Sequence, residues 1–412
     1  MKCVERRRGA DTAGERTFAG GTPSLLRAIN ERTVLETIRE LGPVSRAEIA
    51  RSCGLSKPTV SQALAALLRS RLVREAGRSS GGKGRTAQLY ELNAHAGWVV
   101  GVDVGRDWVR AAVADLNGGI VARRDERSRA RSARTLISQI GDLAHGLAAE
   151  AGLKWRQVSH ATVGSPGVFE PTRRKMTLAE SLPGWGRQGV FDALQRALGT
   201  NLSIENDVNV ATVGEQLHGL GKGVANFVFL HVGTGVGLGL VVNGELFRGA
   251  TGAAGEVGHL PFGSSSASPE EARRRGALEA TVGGVGVVAE ARRLGMRSPL
   301  NARRVFAAAR RGDAVAQRVV GVEAKRIAFT IAAIAPVVDP ELVVLGGGIG
   351  RNGDLLLDPV ERELHSLSKF RPRVDVSVLG EDGAVLGAVA MALRSAQDRL
   401  FARASGRGEI VV

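Results

Sequence analysis

Phe227-Val-Phe-Leu-His-Val232, Gly233-Thr-Gly-Val-Gly-Leu-Gly239 and Leu240-Val-Val242, followed at a short distance by Gly255-Glu-Val-Gly-His259, decide how this chain is read. The β-branched and aromatic content of the first segment predicts a buried strand. The glycine run predicts a tight turn whose backbone N–H groups approach an anion or a neighbouring strand. The second apolar run leads into the turn dipeptide Asn243-Gly244. In the last segment a carboxylate and an imidazole stand three residues apart, close enough to grip one polar ligand together. A glycine turn by itself specifies little, but two more follow strands elsewhere. Val99–Val104 ends in Asp103-Val-Gly105, and Leu342–Leu345 feeds Gly346-Gly-Gly-Ile-Gly350. Three such turns among alternating strands and helices predict a two-lobed α/β protein with a ligand cleft between the lobes.

The intervening chain fits that reading. Val109–Leu116 and Gly119–Arg124 flank Asn117-Gly118, which predicts a two-residue hairpin turn. Ala133–Ala149 has helical spacing, His160–Val163 reads as a strand, and Gly164-Ser-Pro-Gly167 as a loop. A further strand, Leu202–Ile204, runs into the polar cluster Glu205-Asn-Asp-Val-Asn209.

The N-terminal quarter is different. Residues 1–20 are charged and without periodicity, the composition of a disordered tail. From Ser24 the apolar positions Leu25, Leu26, Ile29, Val34, Leu35, Ile38 and Leu41 keep helical spacing until Gly42-Pro43. Ser45 is placed to cap a short second helix, and Cys53-Gly54-Leu55 to turn it. Ser56 is placed to cap a third helix with Pro58 in its first turn, where a missing N–H costs little. Val60, Leu64, Leu67 and Leu68 share one face of that helix. Lys57, Thr59, Ser61 and Gln62 lie towards the other. Helix, three-residue turn, and a helix opened by small polar and basic residues form the pattern of helix-turn-helix DNA readers. Ser61 and Gln62 are placed for base edges; Ser56, Lys57 and Thr59 at the helix start are placed for phosphates. Two short strands around Gly77–Arg85 then make a wing, with Lys83 and Arg85 available to DNA phosphates or the minor groove.

Charge agrees with this division. The formal net charge is +15, and the residues through Leu92 carry 17 Lys and Arg against 9 Asp and Glu, over half of the excess. A polyanionic partner is expected there. With 412 residues and 55 glycines, the chain is long enough for two or three domains rich in tight turns. Two cysteines exclude a disulfide scaffold and suit a reducing compartment. The start lacks the apolar core of a signal peptide, and the longest apolar run, Ile327–Leu345, is broken by Pro336, Asp339, Pro340 and Glu341. A cytoplasmic protein is expected. The domains expected are a tail over 1–20, a winged helix-turn-helix over 21–92, a linker over 93–97, a ligand-binding and dimerisation domain over 98–398 and a C-terminal tail over 399–412.

The ordered motifs Asp103-x-Gly105, Gly164-x-Pro-Gly167, Glu205-Asn-Asp-x-Asn209, Gly233-Thr-Gly235, Gly255-Glu-x-Gly-His259, Gly276-x-x-Glu279 and Gly346-Gly-Gly348 resemble those of the ROK family of repressors, open reading frames and kinases. The resemblance covers roughly Val99–Arg394 and implies an actin-like, hexokinase-like ATPase fold. It implies sugar binding by Asn206, Asp207, Glu256, His259 and Glu279, with Asp207 in the place of the kinase general base. The nucleotide-facing turns of the kinases correspond to Asp103, Gly105, Gly233, Thr234, Gly235, Gly346 and Gly347.

Two departures matter. Where family kinases read Asp-x-Gly-Gly-Thr, this chain has Arg106 and Asp107 after Gly105. Bulk replaces a glycine, and a carboxylate that repels phosphate replaces a hydroxyl, which argues against ATP binding and kinase activity. The family's zinc cysteines are replaced by Glu270, Ala272 and Ala277. One imidazole, His259, does not make a tetrahedral site, so no structural zinc is expected. The sequence therefore predicts a homodimeric or homotetrameric DNA-binding transcriptional regulator, a repressor of carbohydrate-metabolism genes answering to a sugar or sugar derivative, with operator DNA as its partner. The alternative is an active ATP-dependent sugar kinase carrying a regulatory winged helix.

Overall fold

A computed structural model describes residues 23–79, 86–261, 270 and 276–404. The expected N-terminal tail, Lys83 and Arg85 of the wing, and most of the segment around the replaced zinc cysteines lie outside the described residues. The described residues form two compact units, those up to Asn93 together with 400–404, and those from Ala94 to Arg399.

In the first unit, α1 (Pro23–Leu41), α2 (Arg46–Cys53) and α3 (Lys57–Arg69) pack with a three-stranded sheet of β1 (Val44–Ser45), β2 (Val73–Arg78) and β3 (Gln88–Leu92), in the order β1-β3-β2. Local chemistry sets the boundaries. Ser45 and Glu48 form a reciprocal capping box at the start of α2, and Gly54 ends it in the left-handed conformation at φ 66°. The Ser56 side chain accepts from the Thr59 N–H at 3.3 Å. Val60, Ala63, Leu64 and Leu67 of α3 close the core against Val34, Ile38, Ile49 and Tyr90. Each fully buried aliphatic side chain there contributes about 1.5–3 kcal/mol. The apolar face expected on α1 is only partly buried: Val34, Leu35 and Ile38 are inside, whereas Leu26, Ile29 and Leu41 are each about half exposed. Straight continuation of the helix carries the two ends of the apolar series away from the small core.

The second unit repeats one topology twice. β4 (Trp98–Val104), β5 (Trp108–Asp115) and β6 (Ile120–Arg127) form an antiparallel meander. After α4 (Ala133–Glu150) comes β7 (Val158–Ser165), then the small hairpin β8 (Val168–Glu170) and β9 (Lys175–Thr177), α5 (Val190–Leu198), β10 (Leu202–Asn206) and α6 (Asp207–His218). The second lobe repeats the meander as β11 (Phe227–Val232), β12 (Val236–Val242) and β13 (Glu245–Leu246). It continues through α7 (Ala277–Val282), α8 (Gly284–Arg293), α9 (Ala302–Arg310), α10 (Ala314–Val338), β14 (Leu342–Gly346), α11 (Gly347–Gly350), α12 (Gly353–Leu367), β15 (Arg373–Val376) and α13 (Asp382–Ala404). The sheets run β6-β5-β4-β7-β10 and β13-β12-β11-β14-β15, so each adds two parallel strands beside the first strand of its meander. All seven residues of β4 are buried, as expected of a strand covered on both faces. The C-terminal tail expected from 399 is helical through Ala404, because α13 continues without a breaking residue.

Two turn assignments change. The stretch Gly233–Gly239 is not one loop: the turn is confined to Gly233–Gly235, and β12 begins at Val236, antiparallel to β11. Gly237 and Gly239 instead share one face of β12, where α6 lies. A Cβ on Gly239 would stand 1.7 Å from Thr212 Oγ1, and one on Gly237 2.8 Å from Val208 Cγ2. The alternating glycines bring α6 flat against the sheet. Gly239→Ala is expected to lower unfolding stability by about 1–3 kcal/mol through overpacking, measured by denaturant titration; an unchanged midpoint would contradict this packing. The second change is at Asn117-Gly118, where the Asp115 N–H donates to Gly119 O at 3.0 Å. That bond encloses three residues, with Gly118 left-handed at φ 86°, so the hairpin has a three-residue loop.

Candidate functional site

The first unit presents α3 with its apolar face inward and Ser56, Lys57, Pro58 and Gln62 exposed. The five described side chains singled out for DNA are not equivalent. Ser56 and Thr59 hydroxyls lie 2.8 Å apart, and the Ser61 hydroxyl donates to Lys57 O at 2.8 Å. These three hydroxyls serve the helix first. Lys57 and Gln62 extend outward from its opening turns, and Arg69 at its end adds an exposed cation that the motif reading passed over.

In the second unit, Asp207, Glu256 and Glu279, three of the residues expected to hold the ligand, lie within one another's electrostatic reach. Asn206 caps α6: its Oδ1 accepts from the N–H groups of Val208 (2.9 Å) and Asn209 (3.2 Å), while its Nδ2 donates to Gly167 O at 3.1 Å. One amide hydrogen remains for a ligand. Asp207 follows in the first helical turn, its Oδ1 accepting from Val208 N at 2.9 Å. Burial pushes its carboxyl up to about 6. Across the cleft Glu256 is pushed up to about 7, by burial first and then by the negative fields of Asp207, Glu279 and Glu180. Thus Asp207, Glu256 and Glu279 are brought together from three separate elements. Glu180, from the loop after β9, joins their field, and no local pattern marked it.

Glu279 also has a structural task, since its Oε2 accepts from Val236 N at 3.2 Å and fastens the second glycine turn. Gly276 lets α7 reach that position: it is left-handed at φ 88°, and a Cβ there would meet Gly258 O at 2.1 Å. His259 ends a 3-10 turn, Val257–His259, and is exposed. Glu270 and Ala277 occupy replaced cysteine positions, and among the described residues no group of three or more His, Cys, Asp or Glu side chains is arranged to hold a metal. These residues do not fit the zinc site that the family pattern implies.

The glycine turns contain a further departure. Asp103 is buried beside Arg110, whose Nη1 lies 3.2 Å from its Oδ2. Burial, reinforced by Asp207 and Asp125 and opposed by Arg110, pushes the Asp103 carboxyl up to about 7. Arg110 also meets Asp125 at 3.4 Å and pairs with Glu381, which in turn meets Arg351 at 3.0 Å. The pairing Asp103–Arg110 is set by register, the two residues being opposite each other on β4 and β5, and so was not visible in the first turn's motif. The side chain of His231 approaches the other two turns. Its Nε2 lies 2.8 Å and 2.9 Å from the Cβ positions that Gly233 and Gly347 lack. Burial pushes its imidazole down to about 4.

These shifts predict the direction of the pH dependence. Asp103 and Glu256, both raised to about 7, and Glu323, raised to about 8 by burial, hold protons in the folded state that their unfolded counterparts have released. Stability therefore falls as pH rises through 6.5 to 8. Below about 6.5, His160 and His231, both pushed down to about 4 by burial, act in the opposite sense. A higher melting temperature at pH 6.5 than at pH 8 is expected; the reverse order would contradict the assigned burial of these carboxyls.

Known proteins divide along the same lines. A ROK family model matches residues 99–395, and a MarR family model matches residues 27–85. The chain is 25% identical over 389 residues to the xylose repressor of Caldicellulosiruptor bescii, covering 90% of this chain and 97% of that one. It is 30% identical over 308 residues to the glucokinase of Halalkalibacterium halodurans, covering 70% and 93%. Among solved structures, a ROK family transcriptional regulator, homolog of the E. coli MLC protein, shares the fold with a TM-score of 0.77 at 18% identity, over 93% of this chain and all of that one. The ROK hexokinase of Thermus thermophilus aligns at 27% identity and a TM-score of 0.62, over 73% and 99%. No helix among the described residues is long and apolar enough to cross a membrane. A winged helix followed by a twice-repeated, hexokinase-like α/β fold is thus the architecture, and the chain belongs to the ROK family.

Proposed function

We propose that this protein is a transcriptional repressor that binds operator DNA through α3 and the wing and answers to a sugar held between its lobes. The observation that carries the reading is the joining, in one chain, of a MarR-type winged helix to a ROK domain in which Asp207 and Glu256 face one ligand space while Asp103 is engaged by Arg110. Asp207, Glu256 and Glu279 supply acceptors for sugar hydroxyls, and the Asn206 amide supplies a donor. Ser56, Lys57, Thr59, Lys83 and Arg85 take the phosphate side of the DNA contact; Ser61 and Gln62 take the base side. Whole-length similarity to a xylose repressor supports a pentose or hexose as the effector. Two copies acting together supply two recognition helices for paired half-sites.

A second reading, a sugar kinase with an added winged helix, is favoured by the glucokinase relative and by Asp207, whose raised carboxyl lies in the range of a general base. Against it stand Arg106 and Asp107 in the first glycine turn and the Arg110 guanidinium on Asp103, which compete with a nucleotide and its metal for that end of the cleft. Gly105, Gly233, Thr234, Gly235, Gly346 and Gly347 then serve the turns alone. A coupled ADP-release assay over pentoses and hexoses tests the choice: sugar-dependent turnover supports the kinase, and its absence, with sugar-dependent release of DNA, supports the repressor.

A further inference from the structure

The two lobes are joined by an ion pair beside the ligand residues. Glu205 is the penultimate residue of β10 in the first lobe, directly before Asn206 and Asp207. Its Oε1 accepts from Asn206 N at 3.1 Å and Asn209 Nδ2 at 3.0 Å. Its Oε2 takes the Arg248 Nε at 2.7 Å. Arg248 belongs to the second lobe and is the second residue of the segment 247–256 that follows β13 and ends at Glu256. That segment is fixed at both ends, Phe247 N donating to Leu240 O at 2.8 Å and Leu238 N to Gly255 O at 2.9 Å, and is closed on itself by Ala254 N donating to Arg248 O at 3.1 Å. Between them it passes Val168 of the first lobe, whose Cγ1 lies 3.3 Å from the Cβ position of Gly252. One carboxylate therefore organises the start of α6 with one oxygen and holds the segment bearing Glu256 with the other.

We propose that Arg248 and Glu205 form a clasp that sets the spacing of Asp207 and Glu256 across the cleft, making both positioning residues for the effector. The proposal rests on the reading that a sugar binds at Asp207 and Glu256. An exposed pair standing alone contributes little, and Arg248 is half exposed. This pair differs because Glu205 is mostly buried and held by two further hydrogen bonds, so its carboxylate is fixed before Arg248 reaches it.

The test uses the full chain with D-xylose and D-glucose as probes, measuring sugar affinity by calorimetry and DNA affinity on a promoter fragment. Arg248→Ala is expected to weaken the sugar that the wild type binds by about 2–5-fold, the size of one partly exposed ion pair, with unliganded DNA affinity unchanged. Glu205→Gln keeps an acceptor for Asn206 and Asn209 and removes the charge. It is expected to match Arg248→Ala, the double variant to be no weaker than either single one, and Arg248→Lys to restore part of the loss. The sugar is uncharged, so raising salt from about 0.05 to about 0.5 M should weaken wild-type binding and leave Glu205→Gln unaffected. Should Arg248→Ala fail to fold, Glu205→Gln and its salt dependence decide alone. Wild-type affinity and salt dependence in the variants would overturn the clasp while leaving the sugar site standing. A wild type that binds neither sugar would overturn the site and the clasp with it.

Discussion

Asp207→Asn is expected to leave DNA binding intact and to abolish its response to sugar. Asparagine keeps an Oδ1 acceptor for Val208 N, so the first turn of α6 retains its local bond. What disappears is the charge that a sugar hydroxyl meets. Losing a hydrogen bond to a charged acceptor costs roughly 1.5–3 kcal/mol, about 10–150-fold in effector affinity. The substitution also removes a buried carboxyl that repels Glu256, so thermal stability should hold or rise slightly, whereas loss of an acidic residue from the helix start opposes that by about 0.3–1 kcal/mol. Fluorescence anisotropy of a labelled promoter fragment, with and without sugar, checks the outcome. If the variant loses DNA binding, Asp207 is a structural residue of α6 and not a ligand.

The second large effect is expected at the other end of the chain. Gln62 projects from the exposed face of α3, with its apolar neighbours Val60, Ala63 and Leu64 turned into the core. Gln62→Ala removes a side chain able to pair with a base edge, at a cost of about 1–3 kcal/mol in operator preference, while general DNA affinity stays near the wild-type value. Lys57→Ala should do the reverse, weakening all DNA binding and lowering the salt slope by about one. Competition binding between promoter and unrelated DNA separates them. Equal losses in both variants on both DNAs would refute the division of base and phosphate roles on this helix.

The chain's own letters disclosed the fold where the controlling interactions are local. Ser45 with Glu48 and Ser56 with Thr59 specify helix starts within four residues, and the strand-to-glycine turns after β4, β11 and β14 are short patterns. The glycines of β12 misled for a physical reason: Gly237 and Gly239 look like loop residues until α6 is seen to press on their face, which needs a partner some 30 residues away. The ends of the α1 series misled differently, because periodicity marks a face without saying how much of it a small core covers. In the cleft, the family pattern named Asp207, Glu256 and Glu279, and they do share one field. It was silent on Arg110, Glu180 and Arg248, whose importance comes from strand register and from the approach of one lobe to the other. It also gave no hint that Asn206 spends most of its amide on the cap of α6 and on Gly167.

The central claim is that a kinase-type cleft here governs DNA binding by taking a sugar without nucleotide. Its most direct measurement is the gel mobility of DNA from upstream of the neighbouring genes, incubated with this protein and a panel of pentoses and hexoses, in the presence and absence of magnesium ATP. The account predicts a retained fragment that one class of sugar releases, to the same extent whether or not ATP is added. A fragment never retained, alongside ADP and a phosphorylated sugar accumulating in the same tubes, would contradict it.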